Sequence, residues 1–390
     1  MNNSTVHCVY GKNNERSIVL DKLETVRESA DSDSVRCFTY GKIIKLEHQS
    51  DLKNNGVLVA TNENETGSPW DLYRSYDDGD TWEAFSCVPE LINKDMNPGY
   101  QPYIFELPVD MGEYKKGTIL FTGCSYGSET RIPLFASTDL GETWVGLYNI
   151  AEGGGYNQGG WSSDGIWEPC LIYDDKTNRL YCFYSDEQIN GVGENHIGGY
   201  NQRLVYKYTS DLKTWSQEYN AVAVEGDTRP GMPMVTKMGN GQWAIVYENV
   251  GAPEGGTPIY IKFTDNLDNW EPASDNGKLI LSDEGSHCGS SPAITWTPAG
   301  GECGTLIVTA NGQVPPSPTG KCDLFISHDY GKTFVTVKNP IPVQPNQQVR
   351  SSYSPGFYVD KEGSVYYIND PEKEPGADRE KLMIAKLRFE

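Results

Sequence analysis

The hydrophobic positions of this 390-residue chain fall in short runs separated by polar, glycine-rich turns. Typical runs are PLFA at residues 133–136, CLIY at 170–173 and WAIVY at 243–247. Apolar runs of this length, bounded by turn residues, are typical of buried β-strands. Helical signals are scarce, and the best segment, residues 20–27, is short and could equally be a strand edge. The pattern therefore predicts an all-β chain.

A short phrase returns after several of these apolar runs. It reads SYDDGDTW at residues 75–82, STDLGETW at 137–144 and SHDYGKTF at 327–334, which is Ser-x-Asp-x-Gly-x-Thr-aromatic each time. Asp can accept hydrogen bonds from nearby backbone amides, and Gly takes positive φ without steric cost. Each copy therefore predicts a hairpin turn between two strands.

The spacing of the phrase predicts the architecture. Two degenerate copies, TSDLKTW at residues 209–215 and TDNLDNW at 264–270, lie between the complete ones. The interval of roughly 55 to 70 residues fits one four-stranded blade with generous loops. Five copies, with room for one more blade after residue 334, predict a six-bladed β-propeller. We expect one domain over residues 1–390, in which residues 1–35 form an N-terminal segment that could complete the last blade.

The repeated phrase resembles the Asp-box of sialidase-like propellers. In that fold the boxes lie on the outer rim, away from the central site, so the resemblance implies a structural role for them. The chemistry is therefore expected in the intervals between the boxes.

Composition narrows the class of partner. The formal net charge is −22, with 54 acidic against 32 basic residues. Such a surface repels nucleic acid and anionic membranes, whereas a neutral glycan meets no such objection. We expect a monomer that binds a neutral oligosaccharide and neither nucleic acid nor membrane.

Three features of the sequence bear on the cellular location. No apolar leader is visible over residues 1–16, and no run approaches the length needed to cross a membrane. Nine cysteines, an odd number, favour a reducing compartment. A cytoplasmic location is therefore favoured over secretion with the signal removed.

Five segments of unusual composition lie between the boxes, about one per predicted blade, where inner strands should begin or end. They are residues 97–103, 161–169, 228–233, 246–249 and 350–356. A propeller site is built at the central axis from such strands. These segments are therefore the places where we expect functional side chains.

Two glutamates within these segments have unusual neighbours. Glu168 lies between Trp167 and Pro169, and Glu248 ends the apolar run 243–247. A carboxylate at the end of an apolar strand is costly to bury. It is therefore either exposed at the rim or retained in the interior for a functional role. Retaining glycoside hydrolysis needs two such groups: one protonated, to donate to the leaving oxygen, and one ionised, to attack the anomeric carbon. An aromatic neighbour such as Trp167 would raise the pKa of the first.

An ordered set of short motifs resembles the core of the glycoside hydrolase family 93 enzymes. The motifs are WEP at residues 167–169, YSDE at 184–187, LVYKYTSDLKTW at 204–215, RPGM at 229–232, NGQW at 240–243 and YE at 247–248. Enzymes of this family are six-bladed propellers that act as exo-α-1,5-L-arabinanases. They release arabinobiose from the non-reducing end of linear arabinan with retention of configuration. The resemblance implies the same activity here.

The resemblance also implies roles for individual residues. Glu168 corresponds to the acid/base and Glu248 to the nucleophile, and Tyr353 is similar in position to a tyrosine that hydrogen-bonds the nucleophile. The mechanism requires no metal or cofactor. Asp186 and Glu187 are rival acids in the same blade, unless they form a solvated strand end.

The remaining candidates would bind substrate. They are Trp161, Trp167, Arg229, Tyr103, Asp186 and Arg350. The aromatic residues among them could stack on furanose rings or belong to the propeller core. Arg229 could brace the nucleophile or a sugar hydroxyl, or pair with a neighbouring acid. The glycine-rich segment 186–200 departs from the family, and it could change which oligosaccharide is accepted if it covers the site.

Two other functions remain open. A sialidase clamps a carboxylate with three arginines and attacks with a tyrosine, and Arg350 with Tyr353 is the one suggestive pair. The Arg-Ile-Pro phrase of residues 131–133 lies just before the second box, not ahead of the first as in sialidases. A non-catalytic glycan-binding propeller could also carry such boxes. The two strand-associated glutamates favour the hydrolase.

Overall fold

The computed structural model describes residues 5–10, 14–29, 38–63, 69–155, 164–188, 202–226, 228–315, 322–341, 352–371 and 380–389, and below residue 18 it describes the backbone alone. Within these ranges the regular structure is β, apart from a 3-10 turn at Leu52–Asn54. No helix among the described residues is long and apolar enough to cross a membrane. The all-β prediction is confirmed, and residues 20–27 lie within a strand.

The strands form six antiparallel sheets, which we number as blades along the chain. Blade 1 contains β3 (Thr39–Lys45), β4 (Leu58–Glu63), β5 (Trp70–Ser75) and β6 (Glu83–Val88). Blade 2 contains β7 (Asn97–Glu106), β8 (Ile119–Tyr126), β9 (Thr130–Ser137) and β10 (Val145–Gly153). Blade 3 contains β11 (Ile166–Asp174), β12 (Arg179–Asp186), β13 (Arg203–Thr209) and β14 (Tyr219–Val222).

The second half of the ring repeats this arrangement. Blade 4 contains β15 (Arg229–Lys237), β16 (Trp243–Val250), β17 (Ile259–Thr264) and β18 (Lys278–Leu279). Blade 5 contains β20 (Ala293–Thr297), β21 (Thr305–Thr309), β23 (Leu324–Ser327) and β24 (Val335–Val337). Blade 6 contains β25 (Gly356–Val359), β26 (Val365–Asn369), β27 (Lys381–Phe389), β2 (Asn14–Glu28) and β1 (Thr5–Tyr10). A separate pair joins β19 (His287–Gly289) to β22 (Gly312–Val314).

The first strands of the blades form the inner wall of the ring. Strand β3 contacts β7, β7 contacts β11, β11 contacts β15, β15 contacts β20, β20 contacts β25, and β25 returns to β3. The two ends of the chain meet in blade 6, where β2 pairs with β27 in a register that places Leu23 opposite Ala385. The six-bladed propeller is thus confirmed, and its inner strands define a central axis.

The core lies between neighbouring blades. Blades 1 and 2, for example, share a buried aromatic cluster in which the Trp70 ring lies 5.4 Å from Phe121 and 6.1 Å from Phe135. Apolar clusters of the same kind fill the five other blade interfaces. The seven cysteines whose side chains the structure describes are free thiols. Packing between blades therefore holds the inner strands at fixed positions around the axis.

The repeated phrase forms the turn between the third and fourth strands of a blade. In the first copy, Ser75 Oγ accepts the Gly79 N–H at 2.8 Å and donates to Asp77 Oδ1 at 2.7 Å. Asp77 also accepts the Thr81 N–H at 2.9 Å and the Thr81 hydroxyl at 2.6 Å. The other two complete copies have the same bonds. The boxes thus close outer hairpins, away from the inner wall.

Candidate active site

A ring of strained backbone positions surrounds the axis, one in each blade. The residues have φ values between 45° and 63° and lie in the first half of the inner strand or just before it: Tyr40, Gln101, Glu168, Met232, Ser291 and Ser354. Five of them precede a proline, and Tyr40 precedes a glycine. Residues other than glycine adopt such φ values rarely, and the strained positions of proteins cluster at functional sites. The ring therefore marks the axial end where the site is built.

The segments singled out in the sequence contain most of these strained positions. Four of its members lie in the segments 97–103, 161–169, 228–233 and 350–356. Segment 246–249 lies instead in β16, the second strand of blade 4. The members from blades 1 and 5 were missed. An X-Pro pair at residues 291–292 was the available signal in blade 5, whereas Tyr40 has no proline to mark it.

Glu168 is tied to both neighbouring blades. Its Oε2 accepts the Ser185 hydroxyl at 2.6 Å and the Met232 N–H of blade 4 at 3.0 Å. Its backbone N–H donates to Gln101 Oε1 of blade 2 at 2.9 Å, and its Oε1 receives Gln101 Nε2 at 3.4 Å. The carboxyl is therefore fixed in direction while its residue stays partly exposed.

The surroundings of Glu168 favour its protonated form. Burial, together with the negative charges of Glu248 and Glu187, raises the pKa of Glu168 to about 7, although the hydrogen bonds from Ser185 and Met232 act in the opposite direction. A carboxyl with a pKa in this range is half-protonated near neutral pH. Glu168 can therefore both give and take a proton there.

Glu248 points to the same axis from the second strand of blade 4. The residue is 9 % exposed, and its Oε2 accepts the Ser291 N–H at 2.8 Å and the Ser290 hydroxyl at 3.1 Å. Burial raises the pKa of Glu248, whereas these two hydrogen bonds and the charge of Arg229 lower it. The pKa of Glu248 is raised overall, and the two donors and the cation limit that rise.

Arg229 is held beside Glu248 by groups of blade 3. Its Nη2 donates to Glu187 Oε1 and, at 2.8 Å, to Gln202 Oε1. Glu187 is buried and accepts the Trp167 indole N–H at 2.9 Å on its other oxygen. Glu187 is therefore not a solvated strand end; it is the counter-charge of Arg229.

Two residues predicted to bind substrate, Asp186 and Tyr103, instead contact other groups of the protein. Both oxygens of the buried Asp186 are occupied: Oδ2 accepts Arg203 Nε and Nη2 at 2.9 and 2.7 Å, and Oδ1 accepts the Gln188 N–H at 2.9 Å. Tyr103 packs against the apolar clusters on both sides of blade 3, with its hydroxyl at the Cys170 thiol. Asp186 thus serves an ion pair and Tyr103 serves the core.

Tyr353 lies at the junction of blades 6 and 1. Its carbonyl accepts the Tyr40 N–H at 2.9 Å, and the two rings meet edge to face with centroids 5.7 Å apart. Burial raises the pKa of Tyr40, and the charges of Tyr353 and Glu168 add to the effect, so the three groups share one neighbourhood. Trp161, Arg350 and most of segment 186–200 lie outside the described residues.

Two further axial residues, Tyr40 and Lys42, lie outside the segments that the sequence singled out. The pocket beside Glu168 is lined by five blades, with Tyr40, Lys42, Gln101, Met232 and Ser354 among its residues. Burial lowers the pKa of Lys42 to about 7, and its Nζ donates to Ser354 O at 3.1 Å and Ser354 Oγ at 3.3 Å. A lysine inside a strand such as TYGKIIK carries no sequence signal that distinguishes it from a surface lysine.

Arg131, which begins the Arg-Ile-Pro phrase, lies away from this pocket. It occupies the third strand of blade 2, where its guanidinium pairs with Glu129 and Glu152. It therefore supplies no axial guanidinium for a sialidase clamp.

Solved structures resemble the whole chain. The α-L-arabinanase of Penicillium chrysogenum, complexed with arabinobiose, is 29% identical and covers 94% of this chain and 97% of its own, with a TM-score of 0.78. The family 93 α-L-arabinofuranosidase of Fusarium graminearum, also with arabinobiose, is 26% identical and covers 94% and 98%, with a TM-score of 0.76. No family model and no curated protein matches the sequence.

A more distant structure shares the fold alone. The Hadza microbial sialidase Hz136 is 14% identical, covers 97% of this chain and 70% of its own, and has a TM-score of 0.59. The resemblance to glycoside hydrolase family 93 is confirmed, and the chain is a glycoside hydrolase.

Proposed function

We propose that this glycoside hydrolase is a retaining, exo-acting enzyme that cleaves α-1,5-L-arabinan or arabino-oligosaccharides. Glu168 acts as the acid/base and Glu248 as the nucleophile. The observation that carries the proposal is the contrast between the two axial carboxyls. Glu168 has a pKa raised to about 7, whereas Glu248 receives a backbone N–H, a hydroxyl and the field of Arg229.

The first half of the reaction uses both groups at once. Protonated Glu168 donates its proton to the glycosidic oxygen, while Glu248 attacks the anomeric carbon and the glycosidic bond breaks. The outgoing sugar leaves with the proton, and the remaining sugar is esterified to Glu248. The hydrogen bonds from Ser290 and Ser291 to Oε2 keep Glu248 oriented for this attack.

The second half reverses the roles. Glu168, now ionised, removes a proton from water as the water oxygen attacks the anomeric carbon. The bond to Glu248 breaks and the carboxylate is restored. Because the anomeric carbon is inverted twice, the product keeps the configuration of the substrate.

The choice of arabinan rests on the comparisons and on charge. Both family 93 neighbours are named for α-L-arabinosyl linkages and were solved with arabinobiose. Arabinan is uncharged, so the net charge of −22 does not oppose its binding. The Glu187–Arg229 pair also fits a neutral substrate, because its guanidinium already has a carboxylate partner.

Product analysis tests the proposal. Linear arabino-oligosaccharides should be shortened from one end, and sialyllactose should remain intact. Glu248→Gln should lower kcat on arabino-oligosaccharides by about 10⁴-fold or more, as expected when a catalytic nucleophile is removed, while sugar binding persists. Glu142→Gln, an exposed carboxylate paired with Arg74 on the outer rim, is the control and should keep wild-type activity. Cleavage of sialyllactose alone, or near-normal turnover by Glu248→Gln, would refute the proposal.

A further inference from the structure

We propose that Gln101 is a positioning residue for Glu168, and that Glu63 in turn holds Gln101 in place. This inference rests on the proposed function, since it concerns how the acid/base carboxyl is presented. We call this series of contacts, from Glu63 through Gln101 to Glu168, the relay. Its three residues come from blades 1, 2 and 3, so it crosses two blade interfaces.

Both ends of the Gln101 amide contact Glu168. The amide oxygen accepts the Glu168 N–H at 2.9 Å, and the amide nitrogen lies 3.4 Å from Glu168 Oε1. The first bond stabilises the backbone of Glu168 in its strained conformation, with φ at +63°. A non-glycine residue at such a φ persists only when its surroundings fix it. Gln101 is therefore placed to set both the backbone and the carboxyl of Glu168.

Gln101 is itself strained and is fixed from the preceding blade. Its φ is +53°, and its backbone N–H donates to Glu63 Oε2 at 2.8 Å. Glu63 ends β4 and is 2 % exposed. A buried carboxylate is costly and is retained where it makes charge-assisted bonds of this kind.

The same arrangement recurs three blades further round the ring. Glu248, in the second strand of blade 4, accepts the N–H of the strained residue Ser291 in blade 5. Glu63, in the second strand of blade 1, accepts the N–H of the strained residue Gln101 in blade 2. Equivalent positions thus serve different purposes: Glu248 is the proposed nucleophile, whereas Glu63 anchors the residue that orients the acid/base.

The contacts distinguish the two oxygens of Glu168. Oε2 is held by two short bonds, from Ser185 and Met232, whereas Oε1 receives the longer contact from Gln101. A protonated Oε1 can still accept that contact through a lone pair. The geometry thus presents Oε1 as the oxygen that delivers the proton and later recovers it.

Side-chain replacement tests the relay in solution. Gln101→Met keeps the length of the side chain and removes both polar ends. Because a misplacement of about 1 Å can cost about 100-fold in rate, kcat should fall about 10- to 100-fold with KM changed by less than about twofold. Gln49→Met is the matched control: Gln49 bonds Glu106 and Gly117 away from Glu168, and its replacement should leave kcat unchanged.

The pH profile separates positioning from a general loss of stability. Gln101→Glu keeps the acceptor for the Glu168 N–H but adds a negative charge, so the alkaline limb of kcat/KM should move to higher pH. The titratable groups that already face Glu168 are Glu248, Glu187, Tyr40, Cys124 and Lys42 of the adjoining pocket, and all are unchanged in this variant. Glu63→Gln, which retains an acceptor oxygen, should keep several times the activity of Glu63→Met. Normal kcat in Gln101→Met, or an unmoved limb in Gln101→Glu, would overturn the proposal.

A structural measurement without substrate tests the relay independently of the proposed function. Crystal structures of the wild type and of Gln101→Met should show the Glu168 carboxyl displaced by about 1 Å in the variant. If the enzyme proves inactive on arabinan but the carboxyl moves, the substrate assignment fails and the relay stands. If the carboxyl stays in place, the relay is refuted whatever the substrate.

Discussion

The proposed reaction depends on how the carboxyl groups of Glu168 and Glu248 differ. Both are enclosed by protein, so burial raises the pKa of each. What separates them is the charge nearby: Glu187 and Glu248 disfavour ionisation of Glu168, whereas Arg229 favours ionisation of Glu248. Two carboxyls in environments that push their pKa values apart can take the acid and base roles.

This contrast predicts the pH dependence of the enzyme. The first step needs Glu168 protonated, so kcat/KM should fall as pH rises through about 7, the pKa of that carboxyl. Glu187→Gln removes a negative charge that raises this pKa, so the alkaline limb should move to lower pH. Rate measurements across pH for the wild type and the variant test the effect.

A matched control comes from blade 2. Glu129 also pairs with an arginine, Arg131, but lies away from the axis. Glu129→Gln should leave the profile unchanged. An alkaline limb that does not respond to Glu187→Gln would mean that another group titrates in it.

The sequence predicts the outer turns of the blades more completely than it predicts the contacts of the inner strands. Every bond within the first box joins residues two to four positions apart, from Ser75 to Thr81. A local bonding pattern needs a local run of residues, so its repetition predicted the hairpins and, through their spacing, the six blades. The boxes proved to be rim structure, which left the intervals between them for the site.

The inner strands depend on contacts that no local pattern encodes. Glu168 meets Gln101 and Met232, which are 67 and 64 positions away along the chain. The sequence could mark Glu168 and Glu248 as unusual acids, but it could not show that Glu187 neutralises Arg229 or that Asp186 is occupied by Arg203. Which acid faces the axis is decided by the strand register and the bulges, and these appear only in the folded ring.

In the propeller as a whole, side-chain contacts between blade 1 and blade 6 help to close the ring. Asp78, in the first box of blade 1, bonds Lys386 at 2.6 Å and Tyr366, both from blade 6, and Lys45 at 3.1 Å. Lys45 also reaches Asp360 at 3.3 Å. A box residue thus links the first blade to the last, in addition to the pairing of β2 with β27.

The link predicts a measurable loss of stability. Burial alone would raise the pKa of Asp78, but hydrogen bonds from Lys386, Tyr366 and Lys45 hold it at about 2. Asp78→Asn should lower the free energy of unfolding by about 1 kcal/mol, below the range of about 1.5 to 3 kcal/mol for charged hydrogen bonds, because the side chain is 38 % exposed and screened. Denaturant melts at neutral pH measure this difference.

The contribution of Asp78 to the free energy of unfolding should depend on pH. Because the folded pKa lies below the unfolded value of about 3.9, the contribution of Asp78 is present above pH 4 and is lost as pH falls toward 2. The gap between wild type and Asp78→Asn should therefore close in acid. Asp80→Asn, an exposed acid of the same turn paired with Lys22, is the control. A control that loses as much stability as Asp78→Asn would contradict the closure role.

The anomeric configuration of the first product tests the role of Glu248 as nucleophile most directly, and proton NMR can follow it during hydrolysis of an α-1,5-arabino-oligosaccharide. Double displacement through Glu248 inverts the anomeric carbon twice, so the α-anomer should appear first and then mutarotate. Initial appearance of the β-anomer would mean a single displacement by water, and it would contradict the assignment of Glu248 as nucleophile.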